Sequence, residues 1–272
     1  MILLSYTCLP VKFISSFAGT TISTTTNTAP TTTSNEKCPY TKFKGQNKNL
    51  VPLGPQDDCC EDSSCLNNNN FCNDWQFQEE GELISQLKNN DPATILLDEL
   101  AVQGVDFNGT MKVTKNFDSD WVGVTFGYQD SSNFFVVLAP GLNSPNRKDH
   151  WRVTKVASKT GDINSTMANA ITNSQDSVPD QTKVLWKDSV DNNGWKFDVE
   201  YFWQIKYRPI QGYASVQVYE DTKKQLLFDS NKISIGSIQN DRKFGVFVRS
   251  QPNVSWYDMT YECNDNDIEK LD

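Results

Sequence analysis

The chain has 272 residues, with 25 Lys and Arg against 34 Asp and Glu, and so carries a formal charge of −9 at pH 7. That length allows about two average domains or one large β domain. The charge argues against a nucleic-acid binder, which needs clustered positive charge to meet phosphates. The single histidine, His150, excludes a histidine-based zinc site. A Ser-His-Asp or Cys-His triad would have to use that one residue, and no nucleophile-elbow motif lies near it. No apolar run approaches the roughly 18 residues of a transmembrane helix.

Residues 1–20 (MILLSYTCLPVKFISSFAGT) are expected to be a signal peptide. Ile2, Leu3 and Leu4 open an apolar stretch, and Ser16, Ala18 and Gly19 suit a signal peptidase. Lys12 interrupts that stretch and no basic residue precedes it, so a start misplaced within a longer gene is the alternative. Cleavage would remove Cys8 and leave an even number of cysteines. Residues 21–37 belong to a Thr-rich tract with almost nothing apolar to bury, expected to be a disordered tether open to O-glycans.

Residues 38–73 hold five of the seven cysteines: Cys38, Cys59, Cys60, Cys65 and Cys72. Paired C-x2-C spacings are absent, so this polar, Asn-rich segment reads as a small disulfide-rich unit of a secreted protein and not as a zinc site. From residue 74 to 264 the pattern becomes period-2 alternation. Val105, Phe107, Met111 and Val113 define one strand face, and Val122, Val124, Phe126 and Tyr128 the next. FFVVLA (134–139) is apolar on both faces and is expected to be a central strand. Residues 195–207 place Trp195, Phe197, Val199, Tyr201, Trp203, Ile205 and Tyr207 on odd positions, which predicts one long half-buried strand. Ala214, Val216 and Val218 follow, then Phe244, Val246 and Val248, and then Tyr257, Met259 and Tyr261. Helical spacing occurs once, at Met167, Ala170 and Ile171, with Asp162 or Ser165 as N-cap. The expected fold is all-β, a jelly-roll sandwich. The acidic tail 265–272, with Asp265, Asp267 and Glu269, is expected to be solvated.

Several segments resemble the C-terminal domain of thrombospondins, in order and at similar spacing. They are GVDFNGTMKVTKNFDSDWVGVTFGYQ (104–129), SSNFFVVL (131–138), VLWKDSVDNNGW (184–195), YFWQIKYRPIQGYASVQVYEDTKK (201–224), KFGVFVRSQ (243–251) and YDMTYEC (257–263). Asp74-Trp75, Gly81 and Asp91-Pro92 resemble the start of that domain. Cys38-Pro39 and Val51-Pro52-Leu53 resemble the linker before it, so the resemblance spans 38–264. It implies a legume-lectin-like (concanavalin-like) jelly roll in an extracellular, calcium-dependent module that acts by adhesion or matrix binding and not by catalysis. The sequence also departs from the family. Asp-rich calcium repeats, a heptad coiled coil, EGF modules and an Arg-Gly-Asp triplet are missing, and the Cys59 to Cys72 cluster is an insertion. The segments 133–140 and 214–224 match the family's receptor-binding segments only in part, with Asn133 and Pro140 where the first has basic residues. That activity is not carried over, and without a coiled coil the expected state is a monomer.

Calcium takes several hard oxygen ligands, often carboxylates, on converging loops. Asp118 and Asp120 in NFDSDW stand where the family has an acidic run and are the first metal candidates. Asp188, with Asp191, lies in a second acidic turn. Solvated hairpin turns are the plainer reading of both. By resemblance, Cys38 and Cys263 are expected to tie the linker to the last strand, leaving Cys59, Cys60, Cys65 and Cys72 to pair among themselves. Asn108, Asn164 and Asn253 open N-glycosylation sequons. Partners are expected among cell-surface or matrix proteins or glycans.

Two alternatives share the fold. A carbohydrate-binding lectin of the legume type needs an Asp and an Asn held by calcium, and no motif singles them out. A retaining glucanase needs two carboxylates about 5–5.5 Å apart. The nearest pair, Asp198 and Glu200, shares a strand face with Lys196 and lacks a third carboxylate, because Phe202 follows. A solvent face opposite the aromatic row is the favoured reading of these residues.

Overall fold

In the computed structural model the residues described are 41–46, 50–53, 75–88, 93–114, 120–142, 151–158, 165–172, 177–178, 180–189, 193–221 and 224–263. The alternating segments form strands. In chain order these are β1 (Thr41–Lys42), β2 (Leu50–Leu53), β3 (Trp75–Gln78), β4 (Leu83–Gln86), β5 (Ala93–Val102), β6 (Val105–Val113), β7 (Trp121–Asp130), β8 (Asn133–Pro140) and β9 (Arg152–Ala157). Helix α1 (Ser165–Thr172) follows. Then come β10 (Ser177–Val178), β11 (Thr182–Lys187), β12 (Glu200–Arg208), β13 (Tyr213–Glu220), β14 (Gln225–Asp229), β15 (Ile233–Ser234), β16 (Arg242–Arg249) and β17 (Val254–Cys263). The first sheet runs β14-β13-β12-β6-β17-β4-β3, with β15 beside β13 and β1 beside β17. The second runs β10-β11-β9-β8-β7-β16-β5-β2. This is the expected all-β sandwich.

The inward faces interlock through aromatic rings from both layers. Phe107 of the first sheet meets Phe244 of the second edge-on at 5.2 Å, and Tyr207 meets Phe126 at 6.1 Å. Gly109 makes room for this packing, because a Cβ there would stand 2.3 Å from the Trp203 ring and 2.7 Å from Met259. Strand β8 is central, as its two-sided apolar pattern requires. Phe135, Val137 and Ala139 enter the core between the sheets, while Phe134, Val136 and Leu138 enter a second cluster on the far side of the second sheet. Ala168 and Ile171 of α1 join that second cluster.

Two arginines of the second sheet hold the end of α1. Arg249 donates to the Ala168 carbonyl at 3.1 Å and to Asn169 Oδ1 at 2.5 Å, and also bonds Thr172 Oγ1. Arg152 donates to the Ile171 carbonyl and lies over the Trp121 ring at 4.5 Å. Positive charge at a helix C-terminus satisfies its last carbonyls and complements its dipole. The helix begins at Ser165, one of the two expected caps, while Asp162 lies outside the described residues.

Three expectations need correction, each for the same backbone reason. The strand read over 195–207 begins only at Glu200, because Asp198 adopts φ +58° and turns the chain. Its odd positions still face inward: Trp195, Tyr201, Trp203, Ile205 and Tyr207 are buried, and Phe197 and Val199 pack against the core. Tyr128 does not share a face with Val122, Val124 and Phe126. It lies in the outer cluster, because Gly127 (φ +60°) sits in a bulge that shifts the register between β7 and β8. Tyr257 likewise leaves the face of Met259 and Tyr261. Asp258 (φ +53°) bulges β17 against β6, so Trp256 enters the core in its place. A bulge adds one residue to one strand and reverses the alternation beyond it.

Candidate functional site

Asp120 and Asp188 are buried, at 8% and 7% exposure, in a polar part of the chain. Asp120 stands immediately before β7 and Asp188 immediately after β11. In the second sheet β7 starts opposite the end of β8, and β11 ends opposite the start of β9, so both carboxylates lie at the same end of the sandwich. The segment 193–195 runs between them. Asn193 Nδ2 donates to Asp188 Oδ2 and, at 3.0 Å, to the Leu227 carbonyl. Trp195 Nε1 donates to the Asp120 carbonyl at 3.1 Å. The Asp120 carbonyl also accepts the Gly141 N–H at 3.2 Å, and the Asp120 N–H donates to Gln251 Oε1 at 3.0 Å. The Asp188 N–H donates to the Trp151 carbonyl at 2.9 Å. Gly194 lets this segment approach β8, since a Cβ there would lie 2.4 Å from the Pro140 carbonyl.

These contacts fix the backbone on which the two carboxylates stand, and the candidate donors at this end of the sandwich are carboxylate and carbonyl oxygens. Such a set fits a hard cation such as calcium and suits a soft metal poorly. Among the described residues, no group of three or more His, Cys, Asp or Glu side chains is arranged around a metal position. Asp118 and Asp191, the other acidic candidates, lie outside the described residues. So do Cys38, Cys59, Cys60, Cys65, Cys72 and Asn164. Cys263 is disulfide-bonded, to a partner also outside them. Asn253 is half-buried with φ +58°, and its carbonyl accepts the Thr114 N–H at 3.0 Å. Asn108 lies in the middle of β6 between β12 and β17, and its Oδ1 is buried with no hydrogen-bond donor.

Asp198 and Glu200 do not form the same-face pair considered from sequence. Asp198 is exposed in a turn and its N–H bonds the Val113 carbonyl at 2.8 Å, whereas Glu200 opens β12, half-buried beside Tyr257.

Among the described residues, four further buried charged residues, Asp98, Asp106, Arg152 and Arg208, were not expected from the sequence. Arg208 is almost fully buried although it follows the outward positions of β12. It bonds Asp106 Oδ1 at 2.8 Å and the Val105 carbonyl at 3.1 Å. No pattern in the sequence marks it. Asp98 is buried within β5, and burial pushes its carboxyl up to about 6, opposed by the Leu100 N–H at 3.3 Å. The Tyr261 hydroxyl lies close to it, but the contact falls short of hydrogen-bond geometry. A lone Asp inside the apolar run ATILLDELAV was the available signal.

The comparison with known proteins now decides the family. The model of the thrombospondin C-terminal region matches residues 70–265. The chain belongs to the thrombospondin C-terminal family. Thrombospondin-4 of Bos taurus is 36% identical over 204 residues, a match covering 70% of this chain and 20% of that protein. Cartilage oligomeric matrix protein of Bos taurus is 35% identical, covering 70% and 26%. This thrombospondin C-terminal chain therefore spans about a fifth to a quarter of the length of those relatives. Among solved structures, the exoplasmic/lumenal domain of VIP36 in its Ca2+/Man2-bound form matches with a TM-score of 0.48 and 12% identity, over 81% of this chain and 89% of that one. The lectin UEA-II complexed with galactose matches with a TM-score of 0.45 and 11% identity, over 82% and 95%. The fold itself is a sandwich of two antiparallel sheets. Among the described residues no helix is long and apolar enough to cross a membrane.

Proposed function

We propose that this chain is a secreted, calcium-binding module of the extracellular matrix that acts by adhesion to cell-surface or matrix proteins, not by catalysis. The observation that carries the reading is the pair of buried carboxylates, Asp120 and Asp188, supported at one end of the sandwich by the 193–195 segment. A carboxylate taken out of water is costly unless a cation or a hydrogen-bond network offsets its charge, and two stand at this end of the sandwich. Calcium bound there, with Asp118 as a further ligand, would tie the loop before β7 to the loop after β11. The family membership and the matrix role printed in a relative's name support the same reading.

The remaining assignments follow from it. Residues 1–20 serve as signal peptide, 21–37 as tether, 38–73 as a disulfide-rich linker, 74–264 as the sandwich and 265–272 as an acidic tail. Cys38 pairs with Cys263. In support, β1 places Thr41, three residues after Cys38, opposite Tyr261, two residues before Cys263. Cys59, Cys60, Cys65 and Cys72 pair among themselves, and Asn164 and Asn253 carry N-glycans. The protein works as a monomer.

Titration calorimetry with calcium tests the proposal on the full chain. The expected result is binding that weakens at least tenfold in Asp120→Asn and in Asp188→Asn. Equal calcium affinity in wild type and both variants would remove this end of the sandwich from the reading.

A further inference from the structure

We propose that the outward face of the first sheet is a binding platform for a neutral oligosaccharide, at a place separate from the proposed calcium end. The strand register builds it from two adjacent rows. Along one row Leu226, Tyr219, Phe202, Thr110 and Tyr257 stand side by side on β14, β13, β12, β6 and β17. Along the next, two residues further on, are Asp229, Gln217, Gln204, Asn108 and Thr260 on the same five strands. The first row is apolar and aromatic, the second mostly amide.

Four of the five residues of the apolar row reach solvent, Thr110 being buried. Leu226 is 49% exposed, and Phe202, Tyr219 and Tyr257 are half-buried. Phe202 and Tyr219 lie 6.2 Å apart at 48°. The amide row is partly held in place. Gln217 donates to Asp229 Oδ2 at 2.8 Å and accepts from the Tyr219 hydroxyl at 3.0 Å. Beyond Gln204, Asn108 Oδ1 is buried with no donor, a state that costs free energy until a hydroxyl or amide supplies one.

This chemistry selects the ligand class. A sugar ring presents C–H groups on its faces and hydroxyls around its rim. Aromatic rings take the faces, and convergent amides fix the hydroxyls. Across β13, β12, β6 and β17 the backbone groups are used by neighbouring strands, and the sheet edge lies only at β14, at the end of the rows, so an added peptide strand would pair beside the platform and not across it. Charged residues flank the rows: Lys196 bonds Glu220 at 2.9 Å, Arg208 bonds Asp106 at 2.8 Å, and Lys112 and Lys206 stand opposite Glu200 and Asp106 in the register of β6 and β12. Asp229 is the one charged residue in either row, so within the rows themselves a sulfated or sialylated chain meets no cation. From β13 to β17 the row crosses three strand spacings, about 14 Å, which suits several linked sugars better than one. A glycan attached to Asn108 itself would lie across the same rows, so the proposal requires this sequon to be unmodified.

The test begins with an array of neutral, sialylated and sulfated oligosaccharides probed with the full chain. Calorimetry follows with the strongest neutral glycan, in calcium and in excess chelator. Peptide mass spectrometry at Asn108 accompanies it. Binding to a neutral glycan is expected to persist in chelator. It should fall at least tenfold in Phe202→Ala and in Gln204→Ala, with the Gln204→Ala melting temperature unchanged, and Asn108 should be bare. No neutral ligand on the array would overturn the proposal. So would affinity unaffected by either variant, or an occupied Asn108. Binding that disappears in chelator and in Asp120→Asn would place glycan recognition at the calcium end instead, which contradicts the platform and leaves the calcium reading intact.

Discussion

The Asp98 carboxyl sits on β5 among inward-facing residues, beside the Tyr261 ring, with Oδ2 lacking a donor. Desolvation raises it from 3.8 to about 6. A carboxyl that is raised in the folded state binds its proton more tightly there than in the unfolded chain. Its cost to stability is therefore absent below about pH 4 and grows as the pH rises to about 6, reaching about 3 kcal/mol above that. Asp98→Asn keeps the shape and removes the charge. Melting curves at several pH values should show the variant more stable than wild type at pH 7.5, with the gap closing near pH 4. A gap independent of pH would contradict this account of Asp98. Gly109 provides a second test at this scale. Gly109→Ala drives a methyl group into Trp203 and Met259, and denaturant titration should read a loss of about 1–3 kcal/mol. No measurable loss would mean that those rings move aside freely.

At the scale of elements, alternation carried most of the fold, because a strand buried on one face must repeat every second residue. It located β6, β13 and β16 and their inward residues, and it marked β8 as central. It failed at Gly127, Asp198 and Asp258, where one left-handed residue reverses the pattern. Among these only Gly127 announces itself, since glycine is the usual residue at positive φ. The two Asp residues adopt it without a distinguishing pattern around them. Helix α1 was legible from three apolar positions, but its two arginine partners come from β9 and from the end of β16, distant in sequence. Those bonds join α1 to the second sheet. Arg152→Ala should therefore lower stability by about 2–3 kcal/mol, and hydrogen exchange should show α1 losing protection ahead of the core strands. Unchanged protection of α1 would mean that burial of Ala168 and Ile171 holds it without the arginine.

For the whole molecule, the family was legible because its motifs are long and ordered along the chain, whereas the candidate metal end was legible only in part. NFDSDW and KDSVDNNGW pointed to Asp120 and Asp188, but nothing in either motif shows that β7 begins and β11 stops at the same end of the second sheet, with β8 and β9 between them. Nor does either show that Asn193 and Trp195 reach one each. That juxtaposition belongs to the sheet topology. Cys263 provides one check at this scale. If it pairs with Cys38, Cys38→Ser and Cys263→Ser should cost the same stability, up to about 5 kcal/mol in the entropic picture of a long closed loop, with no further loss in the double variant. Additive losses would assign Cys263 another partner. The most direct test of the central claim is thermal unfolding of the full chain in calcium and in excess chelator, for wild type and for Asp120→Asn/Asp188→Asn. A cation bound only to the folded state raises its stability with the logarithm of its concentration. The melting temperature should fall in chelator for wild type and fall less for the double variant. An identical melting temperature with and without calcium would contradict a calcium-dependent module and leave a sandwich that binds its partners without metal.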